Sequence, residues 1–168
     1  MTDTPYTIDA QFFQRVDWAV EQALANNLVI VLDMHHYEEM ANDPTGHQER
    51  FVELWRQIAE HYQNQPNAVL FELLNEPNGV LHAGYWNKII ADVLPVIRGT
   101  NPTRNIIIGP AEWNNAQALD ELVLPADDQH LIVTFHFYSP FEFTHQGAEW
   151  LQNSGSDNWL GTEWTGTS

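Results

Sequence analysis

Four times over, a segment with helically spaced apolar residues leads into an unbroken apolar run, and this alternation limits the fold more than any other feature of the sequence. Residues 8–26 carry Phe12, Phe13, Val16, Ala19, Val20, Ala23 and Leu24 at helical spacing, closed by Asn26-Asn27. The run LVIVLDMHH follows. A second helix is predicted from Gln48 to Tyr62 on Phe51, Leu54, Trp55, Ile58, Ala59 and Tyr62, leading to AVLFELLNE. Trp86, Ile89, Ile90, Val93 and Ile97 mark a third, which Pro95 must kink or shorten at about 3 kcal/mol unless it lies near an end. RNIIIGP comes next, then a short helix over Ala116 to Val123, then HLIVTFHFY. Strands thus begin near Leu28, Ala68, Arg104 and His130, each preceded by a helix. Continuous apolar strands joined by amphipathic helices are predicted to form a parallel sheet buried on both faces, so the class is α/β.

In each strand the polar or aromatic exception falls at the C-terminal end: His35 and His36, Asn75 and Glu76, Glu112 and Trp113, His136 and Tyr138. Chemistry therefore collects on one rim, where both (β/α)8 barrels and open parallel sheets place their ligands. A whole barrel takes about 250 residues. The present 168, with four strands, match about half of one. Strand alternation puts Glu72, Leu74 and Glu76 on one face, and Pro77 ends the strand there because it has no N–H to pair. Asn75 reaches the same site if the strand end bulges or twists.

Composition narrows the partners. With 23 Asp and Glu against six Lys and Arg, the formal charge is -17, which repels a phosphate backbone and argues against nucleic acid. No cysteine is present, so disulfides, zinc–thiolate sites and thiol catalysis are excluded. No apolar run approaches the ~18 residues of a membrane span, and MTDTPYTID has neither the basic start nor the apolar core of a signal peptide. A soluble single domain over residues 1–168 is expected, with its compartment left open because an export signal would precede this stretch.

FELLNEP, LDMHHYEE, IIIGPAEWN and HFYSPFEFTHQGAEW, found on successive strand ends, together resemble glycoside hydrolase family 5, the cellulase family of retaining (β/α)8-barrel enzymes. The resemblance covers nearly the whole chain. It implies that Glu76, in the Asn-Glu-Pro motif, is the general acid/base and that Asn75 holds the sugar 2-hydroxyl beside the cleaved bond. His35 and His36 would be sugar contacts. His136 and Tyr138 would line the site, the tyrosine bonded to the nucleophile, with Trp113 as a stacking platform and His145 as a further subsite contact. The implied substrate is a β-1,4-glucan, with cellulose, mixed-linkage glucan, xyloglucan and mannan all within the family's reach. Retaining hydrolysis needs two carboxyls about 5 Å apart, one protonated to serve the leaving oxygen and one ionised to attack the anomeric carbon. Imidazole, amide and phenol groups match sugar hydroxyls, and tryptophan matches the flat C–H faces.

The family's nucleophilic glutamate ends the seventh strand in a GEFG-like motif, and an arginine lies on the second strand. Neither has a match here, so the chain is expected to cover strands three to six and to lack the nucleophile. Glu163, in WLGTEWTG, imitates that motif, but AEWLQNSGSDN before it contains no helix long enough for a parallel crossover. An alternative is a non-catalytic half-barrel that binds glucan. Such a sheet would leave two open edges and an apolar inner face, and self-association is expected.

No metal or cofactor is expected. His35 and His36, adjacent on a strand, should point to opposite faces, and no H-E-x-x-H spacing occurs. A Gly-rich phosphate loop and a G-x-S-x-G elbow are both missing. Trp18, Trp55 and Trp86 occupy helical positions and are predicted to be core.

Overall fold

The computed structural model describes residues 6–166. The chain divides into two compact units, meeting in sequence between Phe135 and His136.

The first unit is built on a four-stranded parallel sheet in the order β1 (Ile30–Asp33), β2 (Val69–Glu72), β3 (Ile106–Ile108), β4 (Leu131–Val133). Consecutive strands are neighbours, each parallel pair joined by a crossover segment, and the sheet stays open. Helix α1 (Ala10–Ala25) starts where Asp9 accepts the backbone N–H of Gln11 and Phe12, and it ends at Asn26, with Asn27 left-handed at φ 57°. Helix α2 (Glu38–Asn42) follows β1, a short element that the apolar spacing does not announce. Helix α3 (Pro44–His61) begins four residues before the predicted Gln48, with Asp43 accepting from Gly46 N–H and proline in its first turn. The Asp-Pro signal was there to be read. Helix α4 (Ala83–Arg98) carries Pro95 in its last turn, so the helix runs only three residues beyond it. Between β3 and β4 the predicted helix is a 3-10 helix, Ala116–Glu121.

The core lies on one face of the sheet. Val69, Phe71, Ile106 and Ile108 are buried there together with Phe51, Leu54 and Trp55 from α3 and Trp86, Ile89, Ile90 and Val93 from α4. Trp55 and Trp86 also donate their indole N–H to the carbonyls of Leu73 and Gly109, so each ring pins the chain just after a strand. Trp18, by contrast, is 65% exposed. It precedes the single buried residue of α1, Val20, by two positions, which is about 200° around a helix and so the opposite side.

Against the expected burial of both faces, the other one is uncovered by the described residues and is mixed in character. Register pairs Val31 with Leu70, Asp33 with Glu72, and Ile107 with Ile132, so these six share it. Val31 and Ile132 are each 40% exposed. The expected apolar inner face is corrected here, since Asp33 and Glu72 put two carboxylates on it.

A partly buried ion pair closes the N-terminal end of the sheet. Arg98 donates Nε and Nη2 to the two carboxylate oxygens of Asp128 at 2.7 and 3.1 Å and its remaining protons to the carbonyls of Asn101, Arg104 and His130. Burial pushes the Asp128 carboxyl up, but the Arg98 bonds and the His130 N–H outweigh it, so the pKa is lowered on folding. The stabilisation is therefore fully present above the unfolded-state value of about 3.9 and is lost as pH falls through the folded-state value. Asp128→Asn should cost about 2 kcal/mol at pH 7. Urea unfolding at descending pH should show that difference vanishing below the carboxylate range; a pH-independent difference would refute the pairing.

In the second unit, Phe141–Thr144 forms one helical turn, and Glu149–Ser154 and Ser156–Trp159 form 3-10 turns. Gln146 clasps the unit: its amide N–H groups reach the carbonyls of Phe143 and Thr162, and its oxygen accepts from Gly161 N–H. Glu163 is exposed in irregular chain beyond these turns, not at a strand end. Among the described residues, no helix is long and apolar enough to cross a membrane.

Candidate active site

At the C-terminal rim of β1, β2 and β3 the chain leaves the sheet abruptly. Strand β2 ends at Glu72 and the chain bends at Leu73, Asn75 and Glu76, so the alternation predicted to carry Glu76 stops four residues short of it. Glu76 is placed instead by a left-handed backbone at φ 50°. Its neighbours hold that turn: Asn75 N–H donates to Met34 O at 3.1 Å, tying the ends of β2 and β1, and Asn78 Nδ2 donates back to Glu76 O at 2.8 Å. After β3 the departure is sharper, with Glu112, Trp113 and Asn114 at φ 58°, 59° and 56°. Such a conformation costs a side-chain-bearing residue about 1–2 kcal/mol, and strain of this kind gathers at functional sites. Trp113 N–H donates to Pro77 O at 3.1 Å, so this turn is fastened to the Asn-Glu-Pro segment. Asn114 is fully buried, and a Cβ on Gly109 would lie 2.3 Å from its Oδ1; only glycine leaves room for it there.

These turns enclose a cleft of about 360 Å³ lined by His35, His36, Tyr37, Asn75, Glu76 and Trp113, with α2 along one side. That size falls at the lower end of small-ligand sites. Five of the residues singled out from the sequence thus share one cleft. His35 and His36 lie beyond the end of β1, and their rings sit 4.8 Å apart at 46°. The expectation of opposite faces fails because the alternation of a strand does not extend past its last residue. Among the described residues, no group of three or more His, Cys, Asp or Glu is arranged to hold a metal ion.

Tyr37 was not anticipated. It is adjacent to the His-His pair, its hydroxyl lies 3.1 Å from His47 Nδ1, and the Arg50 guanidinium stands over its ring at 5.2 Å. Burial pushes its pKa up to about 12 against the opposing pull of Arg50, so it remains a neutral phenol at ordinary pH. Trp113 is 58% exposed, with a face free for contact.

His136, Tyr138 and His145 belong to the second unit and cluster there. Tyr138 stands 6.1 Å from His136 and 5.1 Å from His145, centroid to centroid. His145 stacks on Phe141 at 4.0 Å and meets Trp150 edge-on at 6.5 Å. Trp150 is 79% exposed, a second open ring that helical spacing could not single out.

The model of the cellulase family, glycosyl hydrolase family 5, matches residues 1–167. The chain belongs to glycosyl hydrolase family 5. Among its relatives, Endoglucanase H of Acetivibrio thermocellus is 41% identical over 146 residues, which is 87% of this chain and 16% of that protein. Endoglucanase C of the same organism is 35% identical, over 85% of this chain and 44% of its own length. The solved endoglucanase Cel5A of Thermotoga maritima superposes with a TM-score of 0.94 at 47% identity, covering 99% of this chain and 53% of Cel5A. Structures of Cel5A are described in complex with cellobiose and with mannotriose. The four strands and their helices thus correspond to part of a (β/α)8 barrel, and the chain spans about half the length of Cel5A and less of the curated relatives.

Proposed function

We propose that these residues form part of a retaining glycoside hydrolase acting on internal β-1,4 linkages of glucan. The cleft in which Glu76 and Asn75 meet His35, His36 and the open face of Trp113 carries this reading. Glu76 is the general acid/base: it protonates the leaving oxygen, then takes a proton from water in the second step. Asn75, His35 and His36 bind sugar hydroxyls, and Trp113 stacks on a ring face. In the second unit, His136, Tyr138 and His145 are assigned as sugar contacts, with Trp150 as an additional platform. No cofactor enters this chemistry, and the bound partner is a β-glucan chain.

The nucleophile is assigned to strands outside these 168 residues, supplied by a longer parent chain. Glu163 is a poor substitute, because it is exposed in a loop rather than fixed at a strand end. The purified 168-residue chain should therefore give no measurable hydrolysis of soluble β-glucan, while a parent chain completing the barrel should hydrolyse it with retention at the anomeric carbon, followed by proton NMR. Activity in the short chain that disappears in Glu163→Gln would overturn this division of labour.

A second reading, a half-barrel that binds glucan without cleaving it, draws on the open edges of β1 and β4 and the uncovered face between them. Unpaired edges favour self-association. Sedimentation velocity of the 168-residue chain should show species larger than a monomer, and a stable monomer across concentrations would refute this expectation.

A further inference from the structure

Asp33 is the last residue of β1, and His35 follows two residues later in the irregular chain at the rim. His35 Nδ1 lies 2.6 Å from Asp33 Oδ2. An ionised carboxylate can only accept, so a contact this short places a proton on Nδ1. A neutral imidazole holds one N–H, and with that proton on Nδ1 the other nitrogen, Nε2, carries a lone pair.

The exposures of the two groups separate their tasks. The Asp33 side chain is 21% exposed, drawn against the uncovered sheet face opposite Glu72, whereas that of His35 is 62% exposed and lines the cleft with Asn75 and Glu76. A polar contact this open to solvent adds little to stability. Its distinct consequence is to decide which nitrogen the ring presents and how the ring is turned.

We propose that Asp33 is a positioning residue that holds His35 as its Nδ1–H tautomer, so that Nε2 accepts a hydrogen bond from a sugar hydroxyl in the cleft. The use of Nε2 rests on the sugar-binding reading above; the tautomer does not. Asp33 touches no substrate and acts through His35.

The test uses the nitrogen-15-labelled 168-residue chain at a pH where imidazoles are neutral, reading His35 by long-range proton–nitrogen correlation. The expected result is a protonated Nδ1 and a bare Nε2, with Nε2 shifting on titration with cellobiose. Asp33→Asn keeps the shape but can offer its own N–H to Nδ1. It should move the proton to Nε2 and weaken cellobiose binding about tenfold, the scale of one hydrogen bond. Should that variant lose its native amide spectrum, the wild-type ring decides alone. A wild-type His35 that binds cellobiose with its proton on Nε2 overturns the proposal and leaves the sugar reading standing. A protonated Nδ1 with no cellobiose response overturns the role in sugar binding and leaves the Asp33–His35 pairing.

Discussion

Glu76→Gln is expected to lower kcat on polymeric β-glucan by about a thousandfold in a chain that completes the barrel, the middle of the range for loss of a general acid. Glutamine has the same shape and can occupy the same left-handed turn, so the substitution removes the exchangeable acid proton and little else. A decisive feature is dependence on the leaving group. Aryl glycosides that depart without protonation should retain most of their first-step rate, and because the second step then lacks its base, a small anion such as azide should restore turnover. Steady-state kinetics on polymer and aryl substrates measure both effects. A Glu76→Gln enzyme within tenfold of wild type on polymer, or an equal loss on every substrate, would remove Glu76 from the acid/base role.

Arg104→Met is expected to be the most damaging change for stability. The residue is 4% exposed, and its guanidinium donates to five acceptors: Asn101 Oδ1 at 2.7 Å and the carbonyls of Tyr62, Gln65, Pro66 and Val69 at 2.6–3.1 Å. It also lies over the Phe71 ring at 5.0 Å. Tyr62, Gln65 and Pro66 lie in the turn between α3 and β2, and Val69 opens β2; the Tyr62 and Pro66 carbonyls also accept from the N–H of Gln65 and Val69. Burial lowers the pKa of Arg104, and the five bonds are what make a desolvated cation tolerable. Methionine fills the volume but leaves buried acceptors unmatched at about 1–3 kcal/mol each. With some relaxation, a total loss of about 3–5 kcal/mol is expected, a large part of the ~5–15 kcal/mol that holds a domain together. Arg104→Lys should recover less than half of this, since an ammonium cannot reach both sides of the turn. Urea unfolding at fixed protein concentration gives the difference, and a loss under about 1 kcal/mol for Arg104→Met would show that the turn does not depend on it.

The hub at Arg104 was read in the sequence merely as the first residue of a strand. Nothing near it names its acceptors, which lie 35 to 42 residues earlier for the carbonyls of Val69 and Tyr62. Trp18 illustrates a different limit. Helical period places it opposite Val20, but which side of α1 meets the core is a property of what packs against the helix.

By itself, the sequence determined the α/β class, the four strands with their start points near the observed ones, and the gathering of His35, His36, Asn75, Glu76 and Trp113 at one rim. Those features follow from periodicity and from where polar residues interrupt it, both of which are local. Tertiary structure decided how the residues enter the cleft. Glu76 and Trp113 depend on left-handed turns that alternation cannot encode, held by hydrogen bonds from Asn75 to Met34 and from Trp113 to Pro77. The pairing of Asp33 with His35, the carboxylates on the open face, and the room Gly109 leaves for Asn114 were likewise decided there. Each depends on backbone directions past the ends of the strands, where the chain has no repeat and contacts between distant segments choose the conformation.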